Sequence, residues 1–73
     1  MIQTMTLPNG KVAEAMFYAG SKRRTHGIAV MDPETGEWTF GGMYTSRAVA
    51  QRFINRAEQF VGPAERVIVP VNA

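Results

Sequence analysis

Gly27-Ile28-Ala29-Val30-Met31-Asp32-Pro33-Glu34-Thr35-Gly36-Glu37-Trp38-Thr39-Phe40-Gly41 reads as a β-hairpin, and the rest of the fold is organised around it. Gly27–Met31 is a short apolar strand and Glu37–Gly41 is the return strand. Between them, an aspartate can bond the backbone two residues on, and proline presets φ at the next position. Gly36 then supplies the left-handed residue that closes a bulged loop. Trp38 and Phe40 alternate onto one face of the return strand, which is expected to be the core face.

Toward the C-terminus, Gly41-Gly42 is expected to bend the chain from strand into helix. The helix runs from about Ser46 to Val61. Ser46 (or Thr45) can cap the free amides at its start. Val49, Ala50, Phe53, Ile54, Ala57, Phe60 and Val61 recur at three- and four-residue spacing as one apolar stripe. Gly62-Pro63 stops the helix, with glycine in the left-handed cap and proline unable to continue. A last strand, Glu65–Val71, follows. Pro70 has no amide to donate, so this strand is expected to lie at a sheet edge or to end there.

Toward the N-terminus, Ile2–Leu7 alternates loosely in polarity, and Leu7-Pro8-Asn9-Gly10-Lys11 is strong turn chemistry. In Lys11–Tyr18, one strand face would carry Val12, Glu14, Met16 and Tyr18, and the other Ala13, Ala15 and Phe17. The alanines also permit a helix here. The tight turn and the Phe-Tyr ending favour a strand. Ala19–His26 is a polar loop holding Lys22-Arg23-Arg24.

The resulting order, β-β-β-β-α-β, predicts an α+β fold. It consists of a small, mainly antiparallel sheet of four to five strands with one amphipathic helix packed on one face. Residues 1–73 are expected to form a single domain. A chain of this length buries about 60–65% of its unfolded surface, so its core supplies roughly 3–5 kcal/mol. With 45% apolar and 19% charged residues the composition is globular. There is no cysteine, hence no disulfide and no thiolate metal site. No apolar run approaches the roughly 18 residues that cross a bilayer, and Met1–Leu7 lacks a signal-peptide pattern. A cytoplasmic protein is therefore expected.

Catalytic chemistry finds little support in the residues. His26 is the only histidine and shares no motif with a nucleophile or an orienting acid. One histidine with scattered acids offers no metal-ligand spacing. Asp32, Glu34 and Glu37 sit around a turn, where carboxylates are ordinary solvent residues. Gly41-Gly42 forms neither a dinucleotide-binding nor a P-loop pattern. No catalytic, cofactor-binding or metal residue is assigned, and no small-molecule substrate.

Binding chemistry is better represented. Net charge is only +2, so the placement of the cations matters more than their number. Lys22, Arg23 and Arg24 form three adjacent cations in a Gly/Ser-bounded loop, suited to an acidic protein patch or to phosphates. The plain alternative is a solvated loop. On the helix, Arg52 and Arg56 lie four apart and project together, with Gln59 continuing that row, and Arg47 joins them as a candidate contact residue. Like charges at that spacing weakly oppose the helix, which hints at an external acidic partner. The plain alternative there is two hydrated arginines. Not all of Met16, Tyr18, Met43 and Tyr44 need fit inside so small a core, and exposed Met and Tyr suit interfaces. The plain alternative, and the more common one, is that most of them are core. These residues favour a protein partner, with single-stranded nucleic acid as the second class.

In its length, its Met1-Ile2-Gln3-Thr4 opening and its Ala/Arg/Gly/Val-rich composition, the chain resembles small phage-encoded transcription regulators of the Xanthomonas lytic-phage type. The resemblance covers the whole chain but rests on no specific motif, so no contact residue is inherited from it. It implies a protein acting in the bacterial host cytoplasm that binds RNA polymerase, inhibits initiation by helping to displace σ, and promotes antitermination. An inhibitor of another host complex is the alternative within the protein-binding class.

Overall fold

The computed structural model describes all residues 1–73. Its elements are β1 (Ile2–Thr6), β2 (Val12–Met16), β3 (His26–Met31), β4 (Trp38–Tyr44), α1 (Arg47–Phe60) and β5 (Glu65–Pro70). The fold is α+β, with five antiparallel strands and one helix, in the order the sequence predicts. The strands divide into two sheets rather than one: a β1–β2 hairpin and a three-stranded sheet in the order β4-β3-β5.

Each turn forms as its residues dictate. The Gly10 amide donates to the Leu7 carbonyl at 2.9 Å, and the Lys11 amide to Asn9 Oδ1 at 3.0 Å. In the second hairpin, Asp32 Oδ1 accepts from the Glu34 amide at 2.8 Å, while the Gly36 amide reaches the Asp32 carbonyl. Lys11–Tyr18 resolves as a strand over Val12–Met16.

The central strand β3 presents a different core on each face. Gly27 and Ala29 face the hairpin layer, where Met5, Leu7, Ala29 and Met43 form a buried cluster. Ala13, Ala15, Phe17, Trp38, Val67, Val69 and Val71 pack around that cluster. Ile28 and Val30 face the other way, toward Ala50 and Ile54 of the helix, with Ile68 and Tyr44 beside them. The one helix thus covers one face of the three-stranded sheet, and the hairpin covers the other. A seam joins the sheets where Val71 bridges Met5 and the Asn72 amide donates to the Thr4 carbonyl at 2.8 Å.

Two expectations are corrected by β4. Gly41-Gly42 does not mark the strand–helix junction. It forms a bulge inside β4, where the register slips between Gly27 and Ala29 and Gly42 takes φ +116°. The extra residue keeps Phe40 and Met43 on the same face, because a bulge resets the two-residue alternation. Phe40 is on the hairpin face with Trp38, yet it stays 42% exposed because β4 is an edge strand.

The helix starts as predicted, with Ser46 Oγ accepting from the Val49 amide at 3.2 Å. Gly62, at φ +124°, ends it, and its amide donates to the Ala57 carbonyl. Arg66 reaches back from β5 and donates both terminal nitrogens to the Gly62 carbonyl at 3.1 Å. A cation there complements the negative end of the helix. Only Ala50 and Ile54 of the apolar stripe are buried, and Phe53, Phe60 and Val61 remain exposed. The strand β5 ends at Pro70 on the sheet edge, as its missing amide requires.

Candidate functional site

The strongest candidate surface is the outer face of the hairpin together with the loop that follows it. Alternation along β2 sends Ala13, Ala15 and Phe17 into the core. It sends Val12, Glu14, Met16 and Tyr18 outward. Met16 is 77% and Tyr18 88% exposed, and Met16 pairs across the hairpin with exposed Ile2. Beyond Tyr18, an open hollow of about 430 Å³ is lined by Met16, Phe17, Tyr18, Ser21 and Arg24. Large apolar side chains left this exposed beside cations have the composition of a protein interface.

The loop is anchored rather than loose. Gln3, buried in β1, uses both ends of its amide on the backbone of Arg24. Its Nε2 donates to the Arg24 carbonyl at 2.8 Å and its Oε1 accepts from the Arg24 amide at 2.9 Å. The Arg24 guanidinium lies 4.1 Å from the Phe17 ring centroid and donates to the Lys22 carbonyl at 2.7 Å. Arg24 therefore braces the loop. Arg23 makes one long bond, 3.5 Å, to the Asn72 carbonyl, and Lys22 stands exposed. Lys22 and Arg23 are the cations presented outward, on a segment whose ordering cost is already met by folding.

The six cations singled out in the sequence do not converge on one site. Lys22, Arg23 and Arg24 belong to the hairpin layer. Arg52 and Arg56 sit on the helix, across the three-stranded sheet, flanking Phe53 in a hollow of about 210 Å³. Phe53 stacks on Tyr44 at 4.6 Å between centroids, and the Arg56 guanidinium lies 5.9 Å from the Phe53 centroid. Burial raises the Tyr44 phenol above its ordinary 10.0, so it is neutral at physiological pH. Arg47 is exposed in the first helical turn, just past Thr45, whose carbonyl accepts from Thr25 Oγ1 at 3.0 Å. His26 begins β3 and meets Thr25 Oγ1 through Nδ1 at 2.8 Å. No group of three or more His, Cys, Asp or Glu side chains is placed to hold a metal ion. No helix is long and apolar enough to cross a membrane.

Gln3 is the residue that sequence reasoning overlooks. It shares the inward face of β1 with Met5, a row that Leu7 continues just beyond the strand, and a polar side chain in that row is the only signal of its role. Replacing it with Leu leaves the Arg24 amide and carbonyl without partners, at a cost of about 1–3 kcal/mol. The expected result is a sharp rise in hydrogen exchange at the Arg24 amide, read by NMR. Unchanged protection there would remove Gln3 as the anchor.

No protein-family model matches this chain, and no curated protein or solved structure is detectably similar to it. What the fold and this surface define is a small α+β domain with a braced basic loop beside exposed Met16 and Tyr18.

Proposed function

We propose that this chain is a non-enzymatic regulator of the phage type that binds a host protein through the outer hairpin face and the Lys22–Arg23 loop. The observation that carries the proposal is the pairing of exposed Met16 and Tyr18 with a loop held in place by Gln3 and Phe17. Methionine moulds its flexible thioether to a partner's contours, tyrosine adds a rigid amphipathic ring, and the two outward cations favour an acidic patch around an apolar centre. Two presented cations form a poor footprint for nucleic acid, whose binding depends on many phosphate contacts.

The partner proposed is bacterial RNA polymerase, with inhibition of initiation through σ displacement and antitermination as the outcome. That choice of partner comes from the whole-chain resemblance, and the surface chemistry is compatible with it. The test is an affinity pull-down of tagged protein from nuclease-treated bacterial lysate, with retained proteins identified by mass spectrometry. Polymerase core subunits recovered with σ depleted is the expected result. Retention of a different complex would replace the partner and leave the binding surface in place. Recovery only of nucleic acid, and only when nuclease is omitted, would overturn the protein-binding reading.

A further inference from the structure

A second surface lies across the central sheet from the hairpin. At 100° per residue, Val49, Phe53, Arg56 and Phe60 line one flank of α1, with Arg52 beside them, while Glu58 points about 140° away from Phe53. Phe53 is 44% and Phe60 75% exposed. This flank faces β4, because Tyr44 of β4 is the ring stacked on Phe53. The outer edge of β4 has no neighbouring strand.

Charge is segregated along this surface. The helix runs back along β4, so that Val61, Gly62 and Pro63 at its end line a hollow of about 380 Å³ with Asp32 and Pro33 of the β3–β4 turn. Three of the six acidic residues, Asp32, Glu34 and Glu37, belong to that turn, and the last two are exposed. Arg52 and Arg56 lie toward the other end, with Arg52 about 13 Å back along the helix from Val61. A basic end with Phe53 between its two arginines, then Phe60 and Val61, then the acidic turn therefore follow one another.

We propose that a second copy of this chain covers this surface, forming a two-fold symmetric dimer in which the acidic turn of each copy meets Arg52 and Arg56 of the other. An isologous interface requires a patch complementary to itself, and a two-fold axis lying in the plane of this one, perpendicular to the helix, lays its acidic end on its basic end. The same rotation brings Phe60, which lies between the two charged ends, together with its copy. It also sets the two open β4 edges antiparallel, the arrangement that unpaired edges readily adopt. Nucleic acid fits the patch poorly, since the acidic turn repels phosphate at one end. The dimer is independent of the polymerase proposal and displays two copies of the outward hairpin surface.

Sedimentation analysis over a concentration series, at low and high salt, tests this. The wild-type protein is expected to dimerise with rising concentration, and more weakly at high salt. Arg52→Glu with Arg56→Glu is expected to weaken self-association by about tenfold or more, as is Glu34→Arg with Glu37→Arg. Mixing the two charge-reversed proteins should restore a dimer, because each then offers what the other needs. All four positions are exposed, and circular dichroism confirms that the variants fold. A wild-type monomer at every concentration would overturn the proposal. So would a dimer indifferent to both reversals, or a mixture that fails to associate.

Discussion

Met5→Ala is expected to leave the chain largely unfolded at physiological temperature. Met5 is fully buried, the largest side chain that is, and lies at the centre of the hairpin-side core with Leu7, Ala29 and Met43. It also bridges Val71, where the two sheets meet. Its sulfur occupies the space left by the missing side chain of Gly27, where a Cβ would overlap it. Truncating a buried methionine to alanine costs about 2–5 kcal/mol, which matches the roughly 3–5 kcal/mol that a core of this size supplies. Thermal melting followed by circular dichroism reads the result. Met5→Leu, close in volume, should cost less than about 1.5 kcal/mol and keep the fold. A melting temperature for Met5→Ala within a few degrees of wild type would show that the hairpin layer contributes little to stability.

The second large effect is expected at the bulge. Gly42 takes φ +116°, beyond the left-handed helical region that asparagine tolerates, and a Cβ there would lie 2.6 Å from the Tyr44 hydroxyl oxygen. Gly42→Ala must either strain the backbone, at about 1–3 kcal/mol, or straighten the bulge. Straightening would turn Met43 out of the hairpin-side core. Displacing Tyr44 would break its 4.6 Å stack on Phe53 and loosen the helix. The expected outcome is a loss of about 2–3 kcal/mol in urea unfolding, with faster exchange in the helix. Gly36→Asn is the contrast. Its φ of +73° suits asparagine and nothing lies within 4 Å, so it should cost under about 1 kcal/mol. Equal losses at the two glycines would remove the bulge from the account.

The legible parts of this fold are those decided by neighbours in sequence. The Asp32–Gly36 turn, the Ser46 cap, the Gly62 stop and the Pro70 edge each rest on a side chain acting within a few residues of itself. The division into two sheets is not of that kind. It depends on the first hairpin folding across β3 rather than extending it, which is fixed by Met5 meeting Ala29 and Met43. The Gly41-Gly42 pair can bend a chain in several ways, and only its register against β3 selects a bulge. The wide helical stripe was legible, but a three-stranded sheet is too narrow to cover it, so Phe53 and Phe60 stay outside.

The candidate surface divides in the same way. The cluster Lys22-Arg23-Arg24 is visible as charge. Which of the three turns inward depends on Phe17 lying beneath Arg24, and the loop's anchor is a glutamine 21 residues away. The two faces of β2 could be listed from alternation alone. That Met16 and Tyr18 face outward follows from the alanine face packing into the core.

The most direct measurement is the lysate pull-down repeated side by side with wild type and with a Tyr18→Ser, Lys22→Glu, Arg23→Glu variant. These side chains are exposed, so the variant should match the wild-type circular dichroism spectrum and melting curve. The account predicts that wild type retains RNA polymerase core subunits and that the folded variant loses them. Equal retention by the two proteins would contradict the assignment of binding to this surface.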